Sequence, residues 1–486
     1  MIKPSLDEAK KLAQGYTMLP MALEILSDLK TPIEILRNIK ANSDSFYILE
    51  SINGSDNWGR YTFIGYNPVV TMYGMSSKIT IDDGSDKTES TEDYLSFLKA
   101  MTEKYKSPGI SYMPPFTGGF VGYFAYDFVE NLIPNLSLKG SNPDGFRDFH
   151  LMLMDKVIVF DNFRQKIYII VNIDTDDIEN SYIKGVTMLK DMEKLILEPT
   201  VKTAAERSCC GSFSPRLSKD EFIARVGTVK SHIAEGDIFQ AVISNRFTAH
   251  FKGSLMNTYR ILRTINPSPY MAYMQLDDME IACSSPETLI SLRNGIVSSF
   301  PLAGTCPRGR TSDEDEQLIS RLLSDEKELA EHDMLVDSAR NDIGKISSFG
   351  SVNVNQYRNI KSFSHVSHIS SQVTGRLKQG LSAIDAIAAA LPAGTLSGAP
   401  KKRACEIIDE TENARRGVYG GALGYIDFTG NMDMCICIRM AVLKDCLVHV
   451  QSGAGIIAES IAEKEYEEIE NKAGAVMQAL ADSREV

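Results

Sequence analysis

Short runs of β-branched and aromatic residues recur through the first half of the chain, where Gly, Asn or Asp bounds them. This pattern predicts strands at residues 45–51, 61–64, 69–73 and 157–160. A short helix is predicted near residues 91–105. The first half is therefore expected to be mainly β-structure.

A helix followed by a strand is predicted at the start of the second half. Ser218 and Glu221 have capping-box spacing. The apolar positions that follow lie on one helical face and end at a glycine: Phe222, Val226, Val229, Ile233 and Gly236. Side chains alternate between the two faces of a strand, so the predicted strand 238–247 has two distinct faces. One face carries Gln240, Val242, Ser244 and Arg246, and the other carries Phe239, Ala241 and Ile243. The polar face would thus be held in a well-defined geometry.

The remaining pattern mixes helices and strands. Long charged helices are predicted at 313–336 and 462–481, and strands at 419–428, 435–443 and 447–451. Short turns, such as residues 428–431, join neighbouring strands and favour antiparallel pairing. No period of 20 to 50 residues repeats, which argues against solenoids and propellers. The expected fold class is α+β, a mixed α/β architecture.

Length and composition indicate an ordinary globular chain. Its 486 residues are 43% hydrophobic and 24% charged, and this length suggests two or three domains or one large composite. A polar stretch at residues 196–216 is the expected boundary between an amino-terminal region, 1–200, and a second domain, 215–486.

The charge balance and the apolar pattern exclude several classes of partner. The chain has 51 Lys and Arg against 64 Asp and Glu, a net charge of −13, so nucleic acid and anionic membranes are not expected to bind. No apolar run is long enough to span a membrane, and no signal peptide is recognisable. The eight cysteines lack CxxC or zinc-type spacing and suggest reduced thiols in the cytoplasm.

Two acidic pairs on predicted helices are candidates for a metal site. Glu328 and Glu331 share one helical face, as do Glu465 and Glu468. A solvated helix surface is the ordinary explanation of each pair. If the two helices converged, their carboxylates would form an oxygen site suited to Mg²⁺.

Other polar and glycine-rich segments leave the chemistry open. The segments near residues 303–305, 393–401 and 453–455 contain no P-loop or dinucleotide fingerprint, so they are either anion-binding backbone or tight turns. Glu287 follows a proline turn and could equally be a surface residue. His365 and His368 would face opposite sides of a strand, which disfavours joint metal binding. These residues alone indicate an anion-binding protein without defining a reaction.

Taken as a set, the same segments resemble the chorismate-utilising enzymes. The second half carries ten matching groups in a consistent order: GDIFQ (236–240), NPSPYM (266–271), SSPE (284–287), PLAGT (301–305), EH and RND (331–342), SHV (364–366), AGTLSGAPK (393–401), RGVYGG (416–421), GAG (453–455) and NKA (471–473). The first half adds LES (49–51), GRYTFIG (59–65) and GGFVGY (118–123). The resemblance therefore covers nearly the whole chain.

Within that family, the chain is most similar to the large, chorismate-binding subunits that form anthranilate. The resemblance implies large, mainly antiparallel sheets packed as a sandwich with helices outside. It also implies a lyase that converts chorismate and ammonia to anthranilate and pyruvate, the first step of tryptophan biosynthesis.

The resemblance assigns roles to residues of this sequence. Glu331 and Glu468 would hold a Mg²⁺ that binds the ring carboxylate. Glu287 would donate a proton to the departing hydroxyl, and His368 would transfer a proton during pyruvate elimination. The substrate oxygens would be surrounded by Gly304, Thr305, Tyr419, Arg439 and the backbone of Gly453, Ala454 and Gly455.

Two positions distinguish the reaction subtype. Relatives that add water to chorismate carry a lysine where this chain has Gln240, and relatives that make 4-amino-4-deoxychorismate carry a lysine in place of Ala303. Anthranilate formation is therefore preferred over a 4-amino-4-deoxychorismate synthase component. The other alternative is a noncatalytic regulator that binds chorismate or an aromatic amino acid, and the presence of Glu287, Glu331, His368 and Glu468 together argues against it. One departure is Cys306, where the family usually has arginine, which removes a cation near the substrate loop.

Partners are also implied. Nothing in the chain resembles the nucleophilic Gly-x-Cys-x-Gly turn of a glutaminase, so a separate glutamine amidotransferase subunit is expected to supply ammonia, with the two subunits forming a heterotetramer. Feedback inhibition by tryptophan is implied at a pocket formed by Ser51, Pro269, Tyr270 and Met271, for which ordinary turn packing is the alternative.

Overall fold

The computed structural model describes residues 2–51, 60–198, 208–362 and 366–484. Strands dominate the first half, as predicted. Its strands are β1 Ile2–Lys3, β2 Met18–Leu26, β3 Phe46–Glu50, β4 Tyr61–Tyr66, β5 Val70–Met75, β6 Lys78–Asp82, β7 Lys87–Ser90, β8 Gly119–Phe124, β9 Phe149–Met154, β10 Lys156–Asp161 and β11 Lys166–Asp174. Its helices are α1 Leu6–Leu12, α2 Pro32–Lys40, α3 Tyr94–Lys104 and α4 Ile178–Leu197.

The second half contributes further strands and the longer helices. Its strands are β12 Cys209–Cys210, β13 Ser214–Pro215, β14 Gln240–Lys252, β15 Tyr270–Leu276, β16 Met279–Ser285, β17 Thr288–Arg293, β18 Ile296–Ser299, β19 Leu302–Pro307, β20 Asn353–Ser362, β21 Val366–Arg376, β22 Gly398–Ala399, β23 Ala422–Asp427, β24 Met432–Ile436, β25 Met440–Lys444 and β26 Leu447–Ile456. Its helices are α5 Lys219–Ala234, α6 Met256–Ile265, α7 Ser312–Ser324, α8 Glu326–Ile346, α9 Ala383–Ala390, α10 Lys401–Glu412 and α11 Ala462–Asp482.

The strands form two large antiparallel sheets. The first has 14 strands, in the order β1-β2-β11-β10-β4-β3-β15-β16-β25-β26-β14-β12, with β13 and β22 also paired to β14. The second has 12 strands, in the order β19-β21-β18-β17-β24-β23-β8-β9-β5-β6-β7, with β20 paired to β21. Antiparallel pairing allows neighbouring strands to be joined by short turns, as the sequence pattern predicted.

The molecule has four layers, two sheets with helices on the outer face of each, and three large hydrophobic cores lie between these layers. One core lies between the sheets and joins residues such as Tyr47 and Phe63 of the first sheet to Tyr123 and Tyr425 of the second. A second core lies between the first sheet and α2, α4, α5, α6, α10 and α11. A third lies between the second sheet and α3, α8 and α9. The predicted sandwich with helices outside is confirmed.

Strands from both halves of the chain pair within each sheet. In the first sheet, β3 pairs with β15, so that Met271 lies opposite Glu50. In the second, β8 pairs with β23, so that Gly122 lies opposite Gly424. The proposed boundary near residue 200 remains a prediction, and the sheets are continuous across it.

The single helix predicted at 313–336 is wrong, because the chain forms two helices there. Asp325 has an extended backbone, with φ −81° and ψ 107°, and ends α7. Its side chain accepts hydrogen bonds from the amides of Lys327 and Glu328 and so begins α8. An N-cap aspartate inside a helical pattern is the local signal of this break.

The single strand predicted at 435–443 is also wrong, because the chain crosses there between the sheets. It leaves the second sheet at the end of β24 and enters the first at β25, with Arg439 between them at φ +53°. A second crossing occurs where β16 of the first sheet leads through Pro286 and Glu287 into β17 of the second. The two crossings are tied together, because the amide of Ile436 donates to the Glu287 carbonyl at 3.0 Å and that of Ser284 to the Arg439 carbonyl at 3.0 Å.

None of the described helices combines the length and apolar character needed to cross a membrane. All eight cysteines are free thiols, in agreement with the sequence-based expectation.

Candidate functional site

A cavity of about 770 Å³ opens beside the two sheet crossings. Its walls come from strands β14, β19 and β26, helices α8 and α11, and the loop at residues 394–396. The sequence-predicted residues that line it are Glu287, Gly304, Thr305, Glu331, Tyr419, Arg439, Gly453, Gly455 and Glu468. Gln240 and Ala303, the positions used to distinguish reaction subtypes, line it as well. Segments far apart in the sequence therefore meet in one place.

Glu287 is a half-buried acid in the cavity wall. Its carboxyl accepts a hydrogen bond from the Thr395 hydroxyl at 3.1 Å. Burial raises the pKa of Glu287 to about 7, although the Thr395 hydrogen bond and the charge of Lys472 act in the opposite direction. A carboxyl that is largely protonated near neutrality can donate a proton to a leaving group.

A buried arginine fixes the loop that carries Thr395. Arg416, whose side chain is 1% exposed, makes an ion pair with Glu412 at 2.6 Å. Its guanidinium also donates to the carbonyl oxygens of Leu396 and Val242, each at 2.6 Å. Removing one partner of a buried pair leaves an uncompensated charge and costs about 3–5 kcal/mol. Arg416 thus anchors two parts of the cavity wall at once.

Four carboxylates from two helices face the same cavity: Glu328 and Glu331 of α8, and Glu465 and Glu468 of α11. Burial, then the negative charges of Glu328 and Glu468, raise the pKa of Glu331. Burial and the charge of Glu468 also raise the pKa of Glu465. The donors are hard oxygens whose mutual repulsion a divalent cation would relieve, so the residues present fit Mg²⁺.

Two cations border these carboxylates. Lys472 pairs with Glu468 at 2.6 Å and donates to the Gly453 carbonyl at 3.1 Å. Arg439 donates to the Lys472 carbonyl at 2.6 Å, and burial lowers the pKa of its guanidinium. Arg439 also has a left-handed backbone, which is uncommon for a residue other than glycine and concentrates at functional sites. The cavity thus places positive and negative groups side by side, as an acidic ligand requires.

His368 lies on β21 directly opposite Thr305 of β19. Its Nδ1 is 2.9 Å from the Thr305 hydroxyl and 3.3 Å from the Gly304 carbonyl oxygen. Because a carbonyl can only accept, this contact places the proton on Nδ1 and leaves Nε2 as the basic nitrogen. Burial lowers the pKa of His368, and the charge of Arg439 lowers it further. His365 lies outside the described residues.

Two glycines are required by close contacts. Gly304 has φ +68°, and a Cβ there would lie 2.9 Å from Ile369. A Cβ at Gly453 would lie 2.9 Å from the Ile243 carbonyl oxygen and 3.0 Å from the Tyr419 hydroxyl. Ala454 differs from its neighbours, since its side chain is fully buried in the core beneath the first sheet. Unlike Gly453 and Gly455, Ala454 does not line the cavity.

Cys306 does not leave a gap at the substrate loop. Its side chain is 7% exposed and packs in a small core with Ile369 of β21 and Leu322 of α7. Burial raises the pKa of its thiol, which keeps it un-ionised. The nearby Arg308 is held by Asp315 at 2.8 Å. Cys306 is thus a packing residue in this chain.

The residues predicted for tryptophan binding lie near one another. Met271 is opposite Glu50 in the pairing of β15 with β3, and Ser51 follows Glu50 directly. Ser51, Pro269, Tyr270 and Met271 are all buried. Residues 52–59, which continue from Ser51, lie outside the described part of the chain.

Several cavity residues were missed by sequence reasoning. Thr395 and Gln451 line the cavity, and Gln451 donates to the Ser244 hydroxyl at 2.8 Å. Phe239, predicted to lie on the apolar face of a strand, instead precedes β14 and stands at the cavity, 76% exposed. Gln240 and Val242 line the cavity while Ala241 and Ile243 enter the core, so the predicted alternation is confirmed for the strand itself.

A different group of possible metal ligands lies away from the cavity. Among the described residues, the ligand atoms of His232, Glu235 and Asp237 lie within 4.8 Å of one another. His232 and Arg403 already bond to Asp237, each at 2.9 Å. The arginine supplies the positive charge there, so this group does not compete with the cavity carboxylates as a metal site.

Comparison with known proteins places the chain among characterised relatives. The sequence profile of the family described as chorismate binding enzyme matches residues 45–478. The chain is 42% identical over 496 residues to anthranilate synthase component 1 of Acetivibrio thermocellus, covering 100% of both chains. It is 43% identical to anthranilate synthase component 1 of Aquifex aeolicus, covering 99% of this chain and 98% of that one. The crystal structure of anthranilate synthase component I from Streptococcus pneumoniae superposes with a TM-score of 0.78 at 35% identity, covering 93% of this chain and 98% of that one.

Proposed function

Because the chain belongs to the chorismate binding enzyme family, we propose that it is the large, chorismate-binding component of an anthranilate synthase. The observation that carries this proposal is the cavity itself. It joins Glu287, a carboxyl with its pKa raised to about 7, to a carboxylate cluster and to Arg439. Its relatives named anthranilate synthase component 1 match over the full length of the chain.

Two cavity positions support anthranilate formation over the alternatives. Gln240 and Ala303 line the cavity, and neither carries an amine. A glutamine amide cannot take a proton from water, and an alanine cannot form a covalent bond to the ring. Hydration and 4-amino-4-deoxychorismate formation therefore lack the lysine that those relatives use. A noncatalytic binding protein would have no need of Glu287, Glu331, His368 and Glu468 together.

The first chemical step uses Glu287. Ammonia attacks ring carbon C2, both ring double bonds shift by one position, and the bond from C4 to its hydroxyl breaks; the ammonium group formed on C2 then loses one proton. Hydroxide is a poor leaving group, so the Glu287 carboxyl donates a proton and the group departs as water. The Thr395 hydroxyl, which donates to the carboxyl at 3.1 Å, orients it for this transfer.

The second step uses His368. Its basic Nε2 takes the proton from C2, the electron pair completes the aromatic ring, and the bond to the enolpyruvyl oxygen breaks. The departing enolpyruvate gains a proton on its methylene carbon and becomes pyruvate. Because the pKa of His368 is lowered by burial, the ring is neutral near pH 7 and able to accept a proton.

Glu331 and Glu468 are the residues that would hold Mg²⁺, with Glu328 and Glu465 beside them. When bound, the ion supplies a positive charge that holds a substrate carboxylate. Arg439 offers a planar guanidinium for bidentate binding of a second carboxylate, and the backbone at Gly453 and Gly455 can approach the substrate without a blocking Cβ.

The metal assignment predicts a binding defect that can be measured without turnover. Glu468→Gln is expected to weaken Mg²⁺ binding by about 10-fold, because one carboxylate charge is lost. The affinity is measured by titration calorimetry. Glu463→Gln is the matched control, since it lies on the same helix and does not line the cavity. Equal Mg²⁺ affinity in the wild type and in both variants would contradict the assignment.

We infer a partner and a regulator for the same enzyme. A separate glutamine amidotransferase subunit would supply ammonia, which agrees with the name component 1 carried by the relatives. Tryptophan would bind beside Ser51 and the turn of Pro269 to Met271 and inhibit the reaction. The neighbouring placement of these residues supports that proposal.

The proposed function is tested by incubating the isolated chain with chorismate, Mg²⁺ and an ammonium salt. Anthranilate, detected by its fluorescence, is the expected product, with one pyruvate formed for each anthranilate. Accumulation of 4-amino-4-deoxychorismate would overturn the subtype. Absence of any chorismate conversion, with chorismate binding retained, would favour the noncatalytic regulator.

A further inference from the structure

The Tyr270 side chain bridges the two sheets next to Glu287. Tyr270 begins β15 in the first sheet, where it lies opposite Ser285. Its hydroxyl lies 2.7 Å from the Thr288 hydroxyl and 2.9 Å from a carboxylate oxygen of Asp433. Thr288 and Asp433 belong to β17 and β24 of the second sheet. The phenol therefore connects β15, which pairs with the strand before Glu287, to β17, the strand after it.

The direction of these hydrogen bonds follows from the charges. The second oxygen of Asp433 accepts from the Arg293 guanidinium at 3.0 Å, so Asp433 is an ionised acceptor. The Tyr270 hydroxyl then donates to Asp433, and the Thr288 hydroxyl donates to Tyr270. Tyr270 is 7% exposed, and burial together with Asp433 raises the pKa of its phenol, which keeps the donor protonated. These hydrogen bonds run in one direction, from Thr288 through Tyr270 to Asp433.

The backbone at Glu287 has few other regular restraints. The pairing of β15 with β16 ends at Ser285, and the pairing of β17 with β24 starts at Thr288 and is interrupted by a bulge before Ile290. Between these ladders, the Glu287 carbonyl accepts from the Ile436 amide at 3.0 Å, and the Ser285 hydroxyl lies 3.4 Å from both the amide and the carbonyl of Glu287. A β-bulge re-aims side chains near active sites and weakens the local ladder. The Thr288 side chain adds a tether on the other side of the acid, to the inter-sheet core.

We propose that Tyr270 is a positioning residue for Glu287, acting through the hydrogen bond to Thr288 and the anchor on Asp433. This inference rests on the proposed function, because it assigns a partner to the group that donates the proton. Tyr270 would not touch the substrate, since its hydroxyl is used inside the inter-sheet core. Its contribution is to hold the crossing between the sheets so that the Glu287 carboxyl keeps its half-buried position in the cavity wall.

The test compares Tyr270→Phe and Thr288→Val, which keep side-chain shape and remove one hydroxyl each. Both are expected to lower kcat for amination about tenfold while KM for chorismate changes less than about twofold, since misplacing an acid forfeits part of its 10²- to 10⁴-fold contribution. The double variant should lose no more than either single variant, because both substitutions break one connection. If Tyr270→Phe fails to fold, Thr288→Val alone decides.

A pH profile separates positioning from a general loss of stability. Glu287 acts in its protonated form, so activity falls as the pH rises through its pKa. A less buried Glu287 has a lower pKa, so the alkaline limb of kcat/KM should move to lower pH in both variants. Tyr94→Phe is the matched control, because it also removes a buried hydroxyl bound to a carboxylate, Asp148, at 3.2 Å, and does not line the cavity.

The outcomes distinguish this inference from the proposed function. Wild-type kcat and an unshifted alkaline limb in Thr288→Val would overturn the positioning role, even if the wild type makes anthranilate. A loss equal to that of Tyr94→Phe, with no shift of the limb, would also overturn it. A wild-type chain that makes no anthranilate from chorismate and ammonia would instead refute the proposed function.

Discussion

Replacing Glu287 with glutamine is expected to lower the rate of anthranilate formation by about 10²- to 10⁴-fold, the usual contribution of a positioned acid. Glutamine keeps the size of the side chain, and its amide oxygen can still accept from Thr395. Substrate binding should therefore change little. The rate is measured from anthranilate fluorescence with saturating ammonium and Mg²⁺.

The acid role of Glu287 also predicts the direction in which activity changes with pH. The protonated form of Glu287 is the active one and its pKa is about 7, so the activity of the wild type should decline as the pH rises through 7. Glu287→Gln should lack this decline. Thr395→Val should keep the decline but move it to higher pH. In the wild type the Thr395 hydrogen bond stabilises the ionised carboxyl, so its loss raises the pKa of Glu287. Wild-type activity in Glu287→Gln, or an unchanged alkaline decline, would rule out the acid role.

Replacing His368 with alanine is expected to separate the two chemical steps. Amination should continue, while pyruvate release should slow by about 10²-fold or more, because the base for the second step is gone. An aminated ring that retains its enolpyruvyl group should accumulate and be detectable by chromatography with mass spectrometry. Pyruvate is followed with a coupled dehydrogenase assay.

A surface histidine controls for the substitution itself. His250→Ala is suitable, because His250 is exposed on β14 and does not line the cavity. In the wild type, the rate of the elimination step should fall as the pH drops through the pKa of His368, which burial lowers from 6.5, since only the neutral ring accepts a proton. Equal losses of amination and pyruvate release in His368→Ala would refute this division of roles.

The cavity was only partly predictable from the pattern of residues. Spacing showed that Glu328 and Glu331 share a helical face, as do Glu465 and Glu468, but left open whether the two pairs meet. The structure brings all four to one cavity. Their approach depends on how α8 and α11 pack against different sheets, which is a long-range property.

Burial changed the interpretation of individual side chains. Glu287 follows a proline turn in the sequence and could have been a surface residue, yet it lies at a crossing between sheets where burial raises its pKa to about 7. Cys306 supplies no cation to the substrate loop, and the structure adds that its side chain packs beneath α7. Both results depend on neighbours distant in the sequence.

Local sequence alone determined the capped helices, the alternation along β14 and the motifs that identify the family, because hydrogen bonding and side-chain direction within one element depend on residues a few positions apart. Only the tertiary structure decided the order of strands in the two sheets, the crossings at Glu287 and Arg439, and the bridge from Tyr270 to Thr288. Strand register and burial arise from contacts between remote segments, and these contacts also set the pKa of each buried acid.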